Sequence, residues 1–221
     1  MSPRIVDVRK DILRKNDVLA RALRDRFVAA GTFVISLVSS PGAGKTTLLH
    51  RTLAEMKRTH RLAALVGDLQ TDNDARRLAA AGVPVRQITT GTVCHLDAQM
   101  VESALEGWNL GDLDILFIEN VGNLVCPAAY DLGEHWRVVL MSVTEGEDKP
   151  AKYPTIFNSA DVALVTKTDL ASAVDFDRER AYAAIQGVRP GIEILEVSAK
   201  SGDGFAAWVD RVREGAACCP A

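Results

Sequence analysis

Phe33-Val34-Ile35-Ser36-Leu37-Val38-Ser39-Ser40-Pro41-Gly42-Ala43-Gly44-Lys45-Thr46-Thr47 is the stretch whose reading decides the fold. It opens as a short apolar run with almost no polar alternation, the expected form of a strand covered on both faces in a parallel sheet. It continues as G-x-x-x-x-G-K-S/T, the phosphate-binding loop between a strand and a helix, except that Ser39 stands where the first glycine is usual. Gly42, Ala43 and Gly44 let backbone N–H groups close around phosphate oxygens, and the following helix N-terminus adds partial positive charge. In such a loop Lys45 reaches the β and γ phosphates, the Thr46 hydroxyl binds Mg²⁺, and Thr47 lies near the α phosphate.

Further short apolar runs fall at 62–66, 83–88, 114–118, 138–143, 162–165 and 192–197. Helical patterns separate most of them, at 46–57, 72–81, 94–107, 155–159, 176–186 and 205–213. Alternating β and α segments with right-handed crossovers predict a doubly wound α/β fold: a mostly parallel sheet of about seven strands, of the P-loop NTPase type. Ahead of it Val8, Ile12, Leu19, Leu23 and Phe27 recur at helical spacing, so a leading amphipathic helix is expected over 6–28, ended by Gly31. No repeat or linker divides the chain. Residues 1–30 are expected as a helix joined to a nucleotide-binding domain at 31–215, with 216–221 a tail. The longest stretch without clear periodicity, 122–136, is the expected functional loop.

A net charge of −3 and a pI near 5.8 argue against a polyanionic partner, so no nucleic acid is expected. No apolar run approaches the roughly 20 residues that span a bilayer, and residues 1–15 are charged, so no membrane association and a cytoplasmic location are expected. Four cysteines, Cys94, Cys126, Cys218 and Cys219, are too few for a disulfide framework and point to metal or redox chemistry.

Two acids follow strand runs, Asp68 and Glu119. Ligands gather at the carboxyl ends of parallel strands, so both are candidates to hold Mg²⁺. Thr166-Lys167-Thr168-Asp169 resembles the N/T-K-x-D guanine motif. There the aspartate accepts from the N1 and N2 donors of guanine, which adenine lacks, while the lysine stem packs on the ring. Ser198-Ala199-Lys200 matches the S-A-K element that reads the guanine carbonyl. Thr166 in place of the commoner Asn is expected to remove a tether between this loop and the phosphate loop.

Cys94-His95 is expected to open the helix over 94–107, and Cys126 lies seven residues after Glu119 in the loop that starts near Gly122. Thiolate and imidazole suit zinc and nickel, but a closed site normally takes four ligands and one chain offers three. A second copy about a two-fold axis would supply the rest. Cys218 and Cys219 are expected in an exposed tail.

Taken together, these residues resemble the HypB-type hydrogenase nickel-incorporation GTPases, over nearly the whole length of the sequence. The resemblance is carried by 40–47, 67–74, Cys94-His95-Leu96-Asp97-Ala98, the run from Glu119 to Pro127 and 146–150. It implies GTP hydrolysed to GDP with Mg²⁺, with Lys45, Asp68 and Glu119 catalytic and Asp68 near the attacking water. It also implies a GTP-favoured homodimer holding nickel or zinc on Cys94, His95 and Cys126, and delivery through a nickel-handling maturation partner to the NiFe-hydrogenase large-subunit precursor. Lys149 is expected to reach the other subunit's nucleotide. The family's clustered-cysteine nickel site ahead of the GTPase domain is not expected here, since no cysteine precedes Cys94 and no histidine precedes His50. Two alternatives remain open. One is a urease-type nickel GTPase, whose pattern places proline between the Cys and His that are contiguous here. The other is a guanine-nucleotide switch without metal delivery.

Overall fold

Phe33–Ser39 forms strand β1, and all seven of its residues are buried. Its side chains alternate between two layers. Phe33, Ile35 and Leu37 pack against Leu48, Leu49 and Leu53 on one face. Val34 and Val38 enter cores on the other face with Phe27 and Phe157 respectively. Such double coverage is what an unalternating apolar run requires.

The computed structural model describes residues 8–68 and 73–219. The start of the leading helix at 6–7, and Leu69 to Asp72 of the expected motif and helix, lie outside the described residues. Helix α1 spans Val8–Ala30, α2 Lys45–Met56, β2 Leu62–Asp68, α3 Asn73–Ala79, β3 Val85–Thr89 and α4 Ala98–Ala104. They are followed by β4 Ile115–Glu119, β5 Trp136–Ser142, α5 Lys149–Lys152, α6 Pro154–Ser159, β6 Val162–Thr166, α7 Arg178–Val188, β7 Glu193–Val197 and α8 Phe205–Ala217. The seven strands form one sheet in the order β3-β2-β4-β1-β5-β6-β7, every pairing parallel. All carboxyl ends therefore lie along one edge, where β1, β2, β4 and β6 deliver Ser39, Asp68, Glu119 and Thr166.

The leading helix docks on the sheet: Ala20, Leu23 and Phe27 are fully buried beside Val34 and Leu116. Arg24 on this helix also pairs with Asp131 at 2.7 Å. Beneath it, Ser36 donates to Glu134 at 3.0 Å, and Glu134 holds the buried Arg137 at 2.8 Å. Among the described residues no helix is long and apolar enough to cross a membrane.

Two helices start two or more residues later than expected, for local reasons. α4 begins at Ala98 rather than Cys94, because Asp97 caps it, its side chain accepting from Met100 N at 2.8 Å. Cys94 and His95 therefore lie in the preceding turn, outside the helix. Asp177 caps α7 in the same way, moving its start to Arg178. The stretch 122–136 is structured by a 3₁₀ turn at Cys126–Ala129 and ends where β5 starts at Trp136. The carboxyl-terminal segment also departs from an exposed tail: α8 runs to Ala217, and Cys219 packs against the core with its Sγ 3.5 Å from His135 Nε2. Cys218 is exposed.

One glycine sets a stability test. Gly204 caps α8 at φ 68°, and a Cβ there would lie 1.9 Å from the Glu196 carbonyl oxygen. Gly204→Ala combines left-handed strain with a backbone clash and is expected to cost about 3 kcal/mol. Calorimetry should then show melting lowered by roughly 6–12 °C; a change under a degree would contradict this packing.

Candidate functional site

The phosphate loop leaves β1 and turns through Gly42 at φ 75° and Gly44 at φ 97°, conformations a side chain disfavours. Ser39, the departure from the usual glycine, accepts a hydrogen bond from Lys45 Nζ at 2.8 Å and parks the lysine in the loop. Burial pushes the Lys45 ammonium below its ordinary value, with the Glu119 charge opposing. Thr46 donates to Glu119 Oε1 at 2.7 Å. Burial raises the Glu119 carboxyl to about 7, against the pull of Lys45 and Thr46. Its Oε2 is buried without a hydrogen-bond partner among the described residues. An orphaned carboxylate oxygen beside a threonine hydroxyl, with Asp68 on the same cavity, is an all-oxygen donor set that fits Mg²⁺.

The cavity over these groups measures about 510 Å³ and is also lined by Thr47, Gly122 and Lys167. It contains a residue the sequence reading missed: Arg77 on α3 donates to Thr47 Oγ1 at 3.1 Å. Only the fold brings Arg77, one of two arginines on α3, to this place.

A second cavity of about 200 Å³ adjoins it, between Ala43, Lys167, Asp169, Ala199 and Lys200. Asp169 is oriented by Ser198, which donates to its Oδ1 at 2.6 Å. The same Ser198 oxygen accepts from Lys200 N and Ser201 N, so the S-A-K turn and the aspartate form one unit. Lys167 holds a left-handed φ of 58°, and its Cε lies 3.8 Å from where a Gly44 Cβ would stand. The expectation about Thr166 is corrected: its hydroxyl donates to the Ala43 carbonyl at 2.7 Å and ties β6 to the phosphate loop. Thr166→Val leaves that buried carbonyl unpaired and is expected to weaken GDP binding five- to tenfold, roughly 1 kcal/mol, with guanine preference kept. Titration calorimetry with GDP and ADP checks both parts.

Seven residues past Glu119, the chain reaches the cysteine site. Ligand atoms of Cys94, His95 and Cys126 all lie within 4.8 Å of one another. Both cysteines are free, and the Cys94 thiol donates to the Cys126 sulfur at 2.9 Å. That hydrogen bond, with burial, pushes the Cys94 thiol above its ordinary value. Burial lowers the His95 imidazole and favours its neutral, ligating form. His95 Nδ1 is buried without a hydrogen-bond partner among the described residues, and the ring stacks on Tyr130 at 3.9 Å. Two sulfurs and an unpartnered imidazole nitrogen fit a soft or borderline cation.

Two asparagines of the run from Glu119 to Pro127, given no role by the sequence, join the sites. Asn120, next to Glu119 and buried, accepts from Leu96 N at 3.1 Å and Val121 N at 2.9 Å. Asn123 donates to the Cys94 carbonyl at 3.2 Å and accepts from Val125 N at 2.8 Å. Between them Gly122 lies so close to the phosphate loop that a Cβ would come 3.0 Å from Pro41 Cα. Lys149 is held by its own chain, 3.6 Å from Glu145 at the start of α5.

The CobW/HypB/UreG nucleotide-binding domain family matches residues 33–196. A hydrogenase maturation factor HypB from Azotobacter chroococcum is 53% identical over 213 residues, spanning 95% of this chain and 70% of the relative.

The chain belongs to the HypB family of hydrogenase maturation factors.

The HypB of Escherichia coli K12 is 51% identical over 207 residues, covering 94% of this chain and 71% of that one. A crystal structure of HypB from Helicobacter pylori in complex with nickel superposes with a TM-score of 0.86 at 40% identity, covering 91% of this chain and 95% of that one. The nucleotide-binding fold of the HypB family is thus present, with a Cys/His cluster joined to its nucleotide cavity through the hydrogen bonds of Asn120 and Asn123.

Proposed function

We propose that this chain is a cytoplasmic, GTP-hydrolysing nickel metallochaperone of hydrogenase maturation that works as a GTP-favoured homodimer. One observation carries the reading: a single loop runs from the nucleotide acid Glu119 past Gly122, seated on the phosphate loop, to the thiol of Cys126. A nucleotide that moves this loop moves a metal ligand. The family membership and the nickel-bound relative support the metal, and zinc is the alternative occupant by donor chemistry.

On this reading residues 31–215 are the GTPase unit, with α1 packed on it and α8 closing it through Ala217. Asp169 accepts from the guanine edge, the Ala199 and Lys200 amides face its carbonyl, and Lys167 covers the ring. Gly42 to Thr47 cradle the phosphates. Thr46, Glu119 and Asp68 would hold Mg²⁺, which neutralises charge developing on the phosphates. Lys45, released from Ser39, follows the γ phosphate, and Asp68 orients the attacking water, giving GDP and phosphate. Cys94, His95 and Cys126 bind the nickel cargo, and a second chain completes its coordination. Lys149, freed from Glu145, reaches the other subunit's nucleotide. Hydrolysis releases the loop and lets nickel pass, through a nickel-handling partner, to the hydrogenase large-subunit precursor.

Phosphate release from GTP and ATP, together with light scattering in GDP and in a non-hydrolysable GTP analogue, tests this. Turnover confined to GTP, with mass doubling in the analogue, is the expected result. Equal turnover of ATP, or one mass in both states, would overturn it.

A further inference from the structure

Asn16 stands in the middle of α1, where asparagine is disfavoured because its side chain competes for backbone hydrogen bonds. It is only 5% exposed, and both ends of its amide are used outside its own helix. The Oδ1 accepts from Ala98 N at 2.9 Å, and the Nδ2 donates to the Asp131 carbonyl at 2.8 Å.

Those two partners flank the cysteine site. Ala98 N is one of the N–H groups at the start of α4 that no helical carbonyl can reach. Together with Leu96 N on Asn120 and Met100 N on Asp97, it completes a set of alternate amides following His95, each held by a side chain. Asp131 follows Tyr130, the residue whose ring stacks on His95, and lies on the segment that descends from Cys126. A single buried amide thus bridges the chain after His95 and the chain after Cys126.

We propose that Asn16 is a positioning residue for the metal site, fixing the spacing of the Cys94-His95 and Cys126 segments, so that the leading helix is part of that site's framework. This rests on the reading of Cys94, His95 and Cys126 as the nickel site. Partners that orient metal ligands typically contribute 10- to 100-fold in affinity.

The test measures nickel affinity by chelator competition, with the near-ultraviolet thiolate-to-nickel charge-transfer band, in the full chain. Wild type is compared with Cys94→Ala, Asn16→Ala, Asn16→Asp and Arg24→Ala. Arg24→Ala removes α1's ion pair to the same Asp131 but leaves the Asn16 bridge, and so controls for helix docking. Asn16→Asp keeps the acceptor for Ala98 N and loses the donor, and it decides the question if the alanine variant does not fold. Expected are at least about tenfold weaker nickel binding and a shifted band in Asn16→Ala, an intermediate loss in Asn16→Asp, and less than twofold change in Arg24→Ala. GDP affinity should stay within twofold throughout. Wild-type nickel affinity in both Asn16 variants would overturn the role, as would an equal loss in Arg24→Ala. If wild type and Cys94→Ala bind nickel alike, the fault lies in the assignment of the site itself.

Discussion

Asp169→Asn lowers affinity for GTP and GDP on the order of a thousandfold, about 4 kcal/mol, and makes xanthosine nucleotides the better ligands. The carboxylate faces the base cavity with one oxygen fixed by Ser198 at 2.6 Å. On the proposed function it accepts from two guanine N–H groups at once, and charge-assisted hydrogen bonds are the strong ones. The amide replaces one acceptor with a donor and sets it against a guanine donor, so one bond is lost and another becomes a repulsion. Xanthine carries a carbonyl where guanine carries its amino group, and the new amide donor suits it. The fold is unaffected, because the amide oxygen of the new side chain still accepts from Ser198. Titration calorimetry with GDP and xanthosine diphosphate reads the exchange; less than a fivefold loss of GDP affinity would remove Asp169 from base recognition.

Cys94→Ala and Cys126→Ala each lower nickel affinity several hundredfold, roughly 3–4 kcal/mol. The two sulfurs lie 2.9 Å apart as thiol and acceptor, close enough for one cation to replace the shared proton. Alanine at either position leaves one sulfur and one imidazole, two ligands in place of three and one thiolate fewer. His95→Ala should cost less, about tenfold, since the imidazole is a neutral ligand. Competition against a chelator of known affinity separates these cases, and equal affinities for wild type and both cysteine variants would place nickel elsewhere.

The sheet was legible because β1 and its neighbours are doubly covered, which strips polar alternation from runs such as Phe33 to Val38. The phosphate loop was legible because lysine, hydroxyl and glycines must be contiguous to surround a phosphate. Ser39 shows the limit: a departure by motif, it is explained only by the lysine that folds back onto it at 2.8 Å. Thr166 shows the same in reverse, since a hydroxyl can reach the Ala43 carbonyl as well as an amide can. The start of α4 was misread because the apolar pattern extends through Leu96, whereas the cap at Asp97 decides where helical bonding begins. The roles of Asn16, Asn120 and Asn123 were not legible, although the last two lie in the run from Glu119 to Pro127. Their importance lies in backbone atoms distant in sequence, such as the 82 positions between Asn16 and Ala98, and no local pattern marks such a bond.

A carrier gated by nucleotide requires that metal and nucleotide feel each other through the loop from Glu119 to Cys126. The most direct measurement is nickel affinity of wild type and of Cys94→Ala, each with GDP and with a non-hydrolysable GTP analogue, while dimer formation is followed. The expected result is Cys94-dependent binding whose affinity changes at least about fivefold between the nucleotides, roughly 1 kcal/mol of coupling. Binding that is equal in both nucleotides and indifferent to Cys94 would contradict the gate and leave only a guanine-nucleotide switch.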